Sequence, residues 1–387
     1  MKLLKRIAPV CLAAAMAGTY AMPALAASDV SRSEEEWAKL KDNTMEYGEL
    51  AGLIHEYNVT VLNNRADYFK VKNRTKQEIS DSYRMQAQDL YDAVQYPDGS
   101  DETAYALAYA NALQLENQAK SLEQMADDNV DDGQIRKIQY DQVEATLVSS
   151  AQTTMNSYQQ MLLNRRTLEA SLNLVRASYN AVAAQFSLNM VTQADVQKAE
   201  EQVKSTEAKL MNLDANIKKL RQNLCLMTGW AYDANPEILP IPAADVSRIA
   251  AMNPAADLEK AIENNYTLRA DKRKLTNTES SSSRETLEKT IKEEEQKAGA
   301  ELNNQYQAVL QAKLAYDQAS TAYELEAKKA QTAARQYEQG SISALEYTQA
   351  QTSLIEKEVS RSVADLALVQ AMDTYDWAVN GLLTLGQ

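Results

Sequence analysis

The sequence is short of everything that interrupts a helix. Its 387 residues include 7 Pro and 10 Gly. Pro occurs only at positions 9, 23, 97, 236, 240, 242 and 254. The stretches 98–235 and 255–387 therefore lack the strongest helix breaker. A β-sandwich or a Gly-rich nucleotide-binding fold needs more turn punctuation than this. There is one His, His55, and there are two Cys. That set cannot build a His/Cys zinc cluster. A Ser-His-Asp arrangement would have to use His55, which sits in a helical stretch and is read as structural. Positive charge is also short. Lys and Arg number 40 against 54 acidic residues, a net charge of −14, which argues against nucleic acid as a partner. The run Glu293-Glu294-Glu295 is read as solvated charge on a helix face. No catalytic, cofactor or metal set emerges, and the chain is read as non-enzymatic.

What is present is 45% hydrophobic and 24% charged residues, a globular or coiled-coil composition. The first residues form a separate segment. Lys2, Lys5 and Arg6 precede an apolar run from Ile7 to Ala21, then Pro23 and Ala24-Leu25-Ala26. This is the pattern of a signal peptide, residues 1–26, with cleavage after Ala26. It implies secretory export. Cleavage removes Cys11 and three basic residues, taking the net charge from −14 to −17. Cys225 alone remains, so no internal disulfide forms. No later run of 18 apolar residues follows.

Heptad seams dominate the rest. Val196, Ala199, Val203, Thr206, Leu210, Leu213, Ile217, Leu220, Leu224 and Met227 recur at alternating steps of three and four. Lys204, Glu207, Lys209, Lys218 and Lys219 fall off that seam. Similar seams run from Leu147 to Phe186, from Leu302 to Tyr337 and from Tyr347 to Leu382. The last helix carries a second stripe, Ile342, Leu345, Ile355, Val359, Leu366 and Val369. A helix with two stripes can touch neighbours on both sides, as in a helical sheet or tube. The expected fold is all-α, with long antiparallel α-hairpins.

The chain also repeats. Gln185–Val196 and Gln336–Tyr347 align at an offset of 151. In each, an aromatic residue (Phe186, Tyr337) ends a helix, and Asn189 or Gly340 follows at the position of a left-handed C-cap. Thr192 or Ser343 then caps the next helix, with Asp195 or Glu346 completing a capping box. Upstream, Tyr57–Val61 matches Asn264–Leu268 at an offset of 207. The first repeat thus holds 56 extra residues, somewhere between 70 and 140. Within them, Tyr96–Ser100 reads as a turn, Thr103–Leu115 as helix and Asp127–Gly133 as an acidic turn that fails the EF-hand pattern. The organisation is a first helical repeat at 27–229, a Pro-rich connector at 230–254 and a second helical repeat at 255–387.

On these residues the chain resembles the TolC-like outer-membrane efflux proteins. Phe186, Asn189 and Asp195 match the family's helix-tip motif, as do Tyr337, Gly340 and Glu346. Leu220, Leu224 and Gly229 match the helix that precedes the inter-repeat linker. Asn265 and Leu268 match the start of the second repeat. The resemblance covers most of residues 40–387. It implies a non-enzymatic component of an envelope efflux or export system, exported across the inner membrane to a periplasmic or outer-membrane-associated place in the cell envelope and forming a homo-oligomer, a trimer in that family. Its partners would be a periplasmic adaptor of the membrane-fusion type and an inner-membrane transporter. It also implies that Leu188, Asn189, Met190, Val191, Gln339, Gly340, Ser341 and Ile342, at the tips, contact the adaptor. The resemblance calls for two β-strands per repeat. Those strands do not fit the sequence. Only Ser280-Ser281-Ser282-Ser283, flanked by charge, interrupts the second repeat. A barrel-less extracytoplasmic coiled-coil scaffold without conduit function therefore stays open as the alternative.

Overall fold

The computed structural model describes residues 32–96 and 102–385. The signal peptide with its Cys11, and the turn residues 97–100, lie outside the described residues. Of those described, 83% are helical and 1% are strand. The elements are α1 (Glu34–Lys39), β1 (Thr44–Met45), α2 (Leu50–Tyr57), α3 (Val59–Val71), α4 (Lys76–Ala93), α5 (Glu102–Asp127), α6 (Gly133–Ser187) and α7 (Gln193–Met227). They continue with β2 (Glu237–Ile238), α8 (Pro254–Asn264), α9 (Tyr266–Asn277), α10 (Ser281–Glu338) and α11 (Ala344–Trp377).

Two long helices set the dimensions. With 55 and 58 residues, α6 and α10 run roughly 82 and 87 Å at 1.5 Å per residue. Each folds back on a shorter partner, α7 on α6 and α11 on α10. The two hairpins then join through α6 and α11, giving the order α7–α6–α11–α10. At that central contact Arg166 grips Glu358 with two 2.8 Å bonds, and Asn156 donates to the Leu366 carbonyl at 2.7 Å.

The seams explain the packing. All ten seam positions from Val196 to Met227 are buried or half-buried, while Lys204, Lys209, Lys218 and Lys219 are exposed. The two stripes of α11 face different neighbours, as a two-sided helix requires. Leu366 and Val369 pack in one cluster with Val148, Ala151 and Met155 of α6. Leu368, Met372 and Tyr375 pack in another with Leu302 and Val309 of α10. Each fully buried Leu stabilises the fold by roughly 2 kcal/mol. Side chains that look unusual for a seam are used as rings and charges: Arg361 lies 4.2 Å over Tyr323. One boundary differs from expectation. The last seam reads on to Leu382, but α11 stops at Trp377. Residues Ala378–Leu382 form a π-type turn, because Gly381 adopts φ 122°.

The two sequence offsets recur in the element boundaries. Shifting α7 by 151 gives the start of α11, and shifting α3 by 207 gives the start of α9. Asn58 and Asn265 cap α3 and α9. Each also donates its side-chain amide to a distant carbonyl, Asn58 to Met227 and Asn265 to Leu383, both at 2.8 Å. The 56-residue surplus is the hairpin α4–α5. Its helices close over small side chains, with Ala87, Ala112, Ala119 and Ala126 buried. In the second repeat only residues 278–280 separate α9 from α10. Among the described residues the strands are β1 and β2, a two-residue parallel pair that pins the Pro-rich connector to the segment between α1 and α2.

Candidate functional site

The free ends of the two hairpins are built alike. At the first, the amides of Asn189 and Met190 donate to the carbonyls of Phe186 and Gln185, both at 2.9 Å. At the second, Gly340 and Ser341 donate to Tyr337 and Gln336 at 2.9 and 2.8 Å. This double pattern closes a helix through one left-handed residue. Asn189 has φ 57° and Gly340 φ 70°, as the sequence spacing requires. Thr192 with Asp195, and Ser343 with Glu346, form capping boxes on the outgoing helices. Hydrogen bonds from Thr192 hold the Asp195 carboxyl below the usual range, and those from Ser343 do the same for Glu346. Both acids stay ionised at the positive ends of their helices.

The tips differ in what they show to solvent. Leu188 is 70% and Met190 69% exposed, beside exposed Asn189 and half-buried Val191. No charged residue lies between Arg176 and Asp195. The second tip presents Gln339, Gly340 and Ser341, with Ile342 half-buried. Charge is close there, on Arg335, Glu338 and Glu346. Tyr337 and Tyr347 stack at 4.7 Å and brace the turn. Both tips lie at one end of the molecule, because α6 and α11 run antiparallel. Contacts between Ala170 and Thr352, Arg166 and Glu358, and Asn156 and Leu366 fix that register. Extended along α6, the register sets the second turn opposite Ala181. The first tip therefore stands roughly 10 Å further out at 1.5 Å per residue.

Over more than nine-tenths of each chain the fold matches several solved structures. An outer-membrane channel, OprN, matches with a TM-score of 0.53 and 12% identity, over 93% of this chain and 96% of that one. A membrane protein from Pseudomonas aeruginosa matches with a TM-score of 0.53 and 14% identity, over 96% and 98%. The Campylobacter jejuni CmeC outer membrane channel matches with a TM-score of 0.50 and 10% identity, over 95% and 92%. The fold is TolC-like. At these identities the likeness is one of fold, and the hairpin tips belong to that fold. No protein-family profile matches the sequence, and no curated protein does.

The remaining candidate residues resolve simply. The ring nitrogens of His55 are both engaged, by Glu144 at 2.7 Å and Arg65 at 2.9 Å, which leaves neither for a nucleophile. The acidic turn before α6 is consumed locally: Asp132 caps α6 through Gln134 and Ile135 and also binds Arg273 and Asn277. The run Glu293–Glu295 is less solvated than its sequence suggests. Glu293 is exposed and pairs with Lys297, but Glu294 and Glu295 are half-buried, because α9 packs there; Glu295 meets Lys272 at 2.7 Å. Among the described residues no group of three His, Cys, Asp or Glu is placed to hold a metal.

Proposed function

We propose that the chain is a non-enzymatic component of an envelope export or efflux assembly. Its hairpin tips dock a periplasmic adaptor, and through it an inner-membrane transporter. The carrying observation is the TolC-like fold over more than nine-tenths of the chain, ending in two turns that expose Leu188–Met190 and Gln339–Ser341. Leu188, Asn189, Met190 and Val191 supply an uncharged contact. Gln339, Gly340, Ser341 and Ile342 supply a polar one. Leu188 and Met190 bury little within the chain, so their apolar area is available to a partner; covering one such side chain yields roughly 1.5–3 kcal/mol. In this reading the chain acts as a homo-oligomer, a trimer by resemblance, whose outer helices α7 and α10 meet neighbouring copies. It is exported and works at the cell envelope.

A second reading keeps the fold and drops the conduit. The observation in its favour is the replacement of both expected strand pairs by the α4–α5 hairpin and by residues 278–280. The chain would then be a coiled-coil scaffold outside the inner membrane. Cell fractionation with photocrosslinking from position 190 separates the two. The export reading expects an oligomer in the outer-membrane fraction and a crosslink to an adaptor. A monomer released with the soluble envelope contents, without such a crosslink, establishes the scaffold instead.

A further inference from the structure

The two repeats fill the same place in opposite ways. In the second, Leu258, Ile262 and Leu275 pack with buried Ile291, and Lys272 pairs with Glu295 at 2.7 Å. The equivalent first-repeat residues, at the offsets of 207 and 151, are Ala51, His55, Tyr68, Tyr140, Arg65 and Glu144. They enclose no core. They line a cleft of about 470 Å³ between α2, α3 and α6, to which Tyr266 and Trp377 also contribute.

Its charges are arranged as in a binding site. His55 stands between the two groups whose counterparts pair directly. Arg65 donates to His55 Nε2 at 2.9 Å and to the His55 carbonyl at 2.8 Å. That fixes the hydrogen on Nδ1, which is donated to Glu144 at 2.7 Å. Asp141 in the same cleft is paired with Lys137. Glu144 is thus bound through a neutral ring and keeps its charge, and the Glu56 carboxylate, paired with Arg32, stands 3.9 Å from His55 Nε2. Among the described residues Arg65 forms no ion pair of its own and donates only to neutral His55 atoms, so its guanidinium reaches the cleft without a direct carboxylate partner. The Trp377 indole N–H is held by Gln152 at 2.6 Å, so that ring is fixed while its faces stay apolar. A cleft of this size with aromatic walls and one directed cation has the make-up of a small-molecule site.

We infer that the first repeat carries a binding site for an organic anion with a flat aromatic body, whose acid group pairs with Arg65 and whose rings lie against Tyr68, Tyr140, Tyr266 and Trp377. The site is separate from the tips and is independent of the export reading. The test uses two fluorescent probes with one ring system, on the full mature chain. One is 1-anilinonaphthalene-8-sulfonate, and the other is N-phenyl-1-naphthylamine, which lacks the sulfonate. The wild type should bind the sulfonate saturably, at one per chain. Arg65→Gln should weaken sulfonate binding about tenfold, as expected for loss of a charge-assisted bond, and leave the uncharged amine unaffected. Lys272→Gln, the matched change in the second repeat, should alter neither. Ala51→Leu with His55→Ile, the side chains that fill the second repeat, should weaken both probes. Thermal melting of each variant confirms that it is folded. Absence of saturable sulfonate binding, equal losses of both probes in Arg65→Gln, or an equal loss in Lys272→Gln would overturn the assignment.

Discussion

The two halves of this chain share a helical plan and differ at three places along it. At the end away from the tips, the first repeat inserts the α4–α5 hairpin where the second makes a three-residue link. At the junction of short and long helices, the first leaves an aromatic cleft where the second packs Leu and Ile. At the tips, the first exposes Leu188 and Met190 where the second exposes Gln339 and Ser341. The shared parts are backbone devices: Asn caps, left-handed turns and capping boxes. The divergent parts are side-chain surfaces. Geometry that closes the fold is thus duplicated, while the surfaces available to other molecules are specialised.

The largest test of that division concerns two glycines that end the repeats. Gly229 has φ 82°, and a Cβ there would lie 2.4 Å from Tyr57 Cβ and 2.5 Å from its carbonyl oxygen. Gly381 has φ 122°, with the Asn264 carbonyl at 2.8 Å and the Tyr266 ring at 2.9 Å. Both seat the end of a repeat against the α2–α3 or α8–α9 junction. Gly229→Ala combines a backbone clash with left-handed strain and should cost about 3 kcal/mol or more. Gly381→Ala should cost about 2 kcal/mol, since part of its clash is with a ring that can shift. Denaturant melts of the two variants check the order. A harmless Gly229→Ala would remove the claimed equivalence of the two junctions.

Asn58→Ala and Asn265→Ala come next. Each deletes a cap and leaves a distant carbonyl without its donor. A loss of about 2 kcal/mol is expected for each, somewhat larger for Asn265, which is 1% exposed against 6% for Asn58. Urea unfolding measures both. A large loss at one and none at the other would break the comparison.

These tests also mark what is legible in the sequence. The seams are readable because a heptad is local and its partners need not be known. The tips are readable because a left-handed residue and a capping box have short signatures: Asn189, Gly340, Thr192 and Ser343 all play the expected backbone roles. The surplus of 56 residues is countable, and its location follows from the two offsets. The β1–β2 pair is not readable, since two residues of parallel pairing carry no periodicity. Gly381 is hidden inside an apparent seam that continues past it. The cleft escapes a reading of the sequence because its meaning lies in which residues face each other. His55 looks like a lone helical histidine until Arg65 and Glu144 are seen on either side of it.

A smaller difference between the repeats is electrostatic. The α6 N-cap is Asp132, while the α10 N-cap is Ser280. Burial pushes the Asp132 carboxyl up, but Asn277, the Ile135 amide and Arg273 outweigh it and hold it below the usual range. A depressed carboxylate contributes stability at pH values above its unfolded pKa, and the contribution is lost as pH falls through the lower folded value. The wild type should therefore lose stability on acidification by more than Asp132→Ser, the residue type that caps α10. Melting temperatures from pH 6 to pH 2 test this. Parallel curves for the two proteins would show that the cap contributes nothing pH-dependent.

The smallest expected change in stability belongs to the tips, which is what makes them informative about partners. Gly340 has open space around its missing Cβ, with nothing within 4 Å. Only its left-handed backbone resists a side chain. Gly340→Ala should cost about 1 kcal/mol, and Gly340→Asn less, because Asn tolerates that conformation and already holds it at Asn189. Met190→Asp changes an exposed side chain and should leave the melt nearly unchanged. If the first tip carries the apolar contact, Met190→Asp alone should weaken capture of the adaptor strongly, and Gly340→Asn should be tolerated. The double variant Met190→Asp, Gly340→Arg should abolish capture while the helical circular dichroism signal persists. The order matters as much as the loss. A longer, uncharged first tip that leads the second by roughly 10 Å should dominate the contact. Equal sensitivity of the two tips would mean that the partner reads the shared turn and ignores the side chains that distinguish them. Full capture by the double variant would remove docking from the tips altogether and leave the scaffold reading in its place.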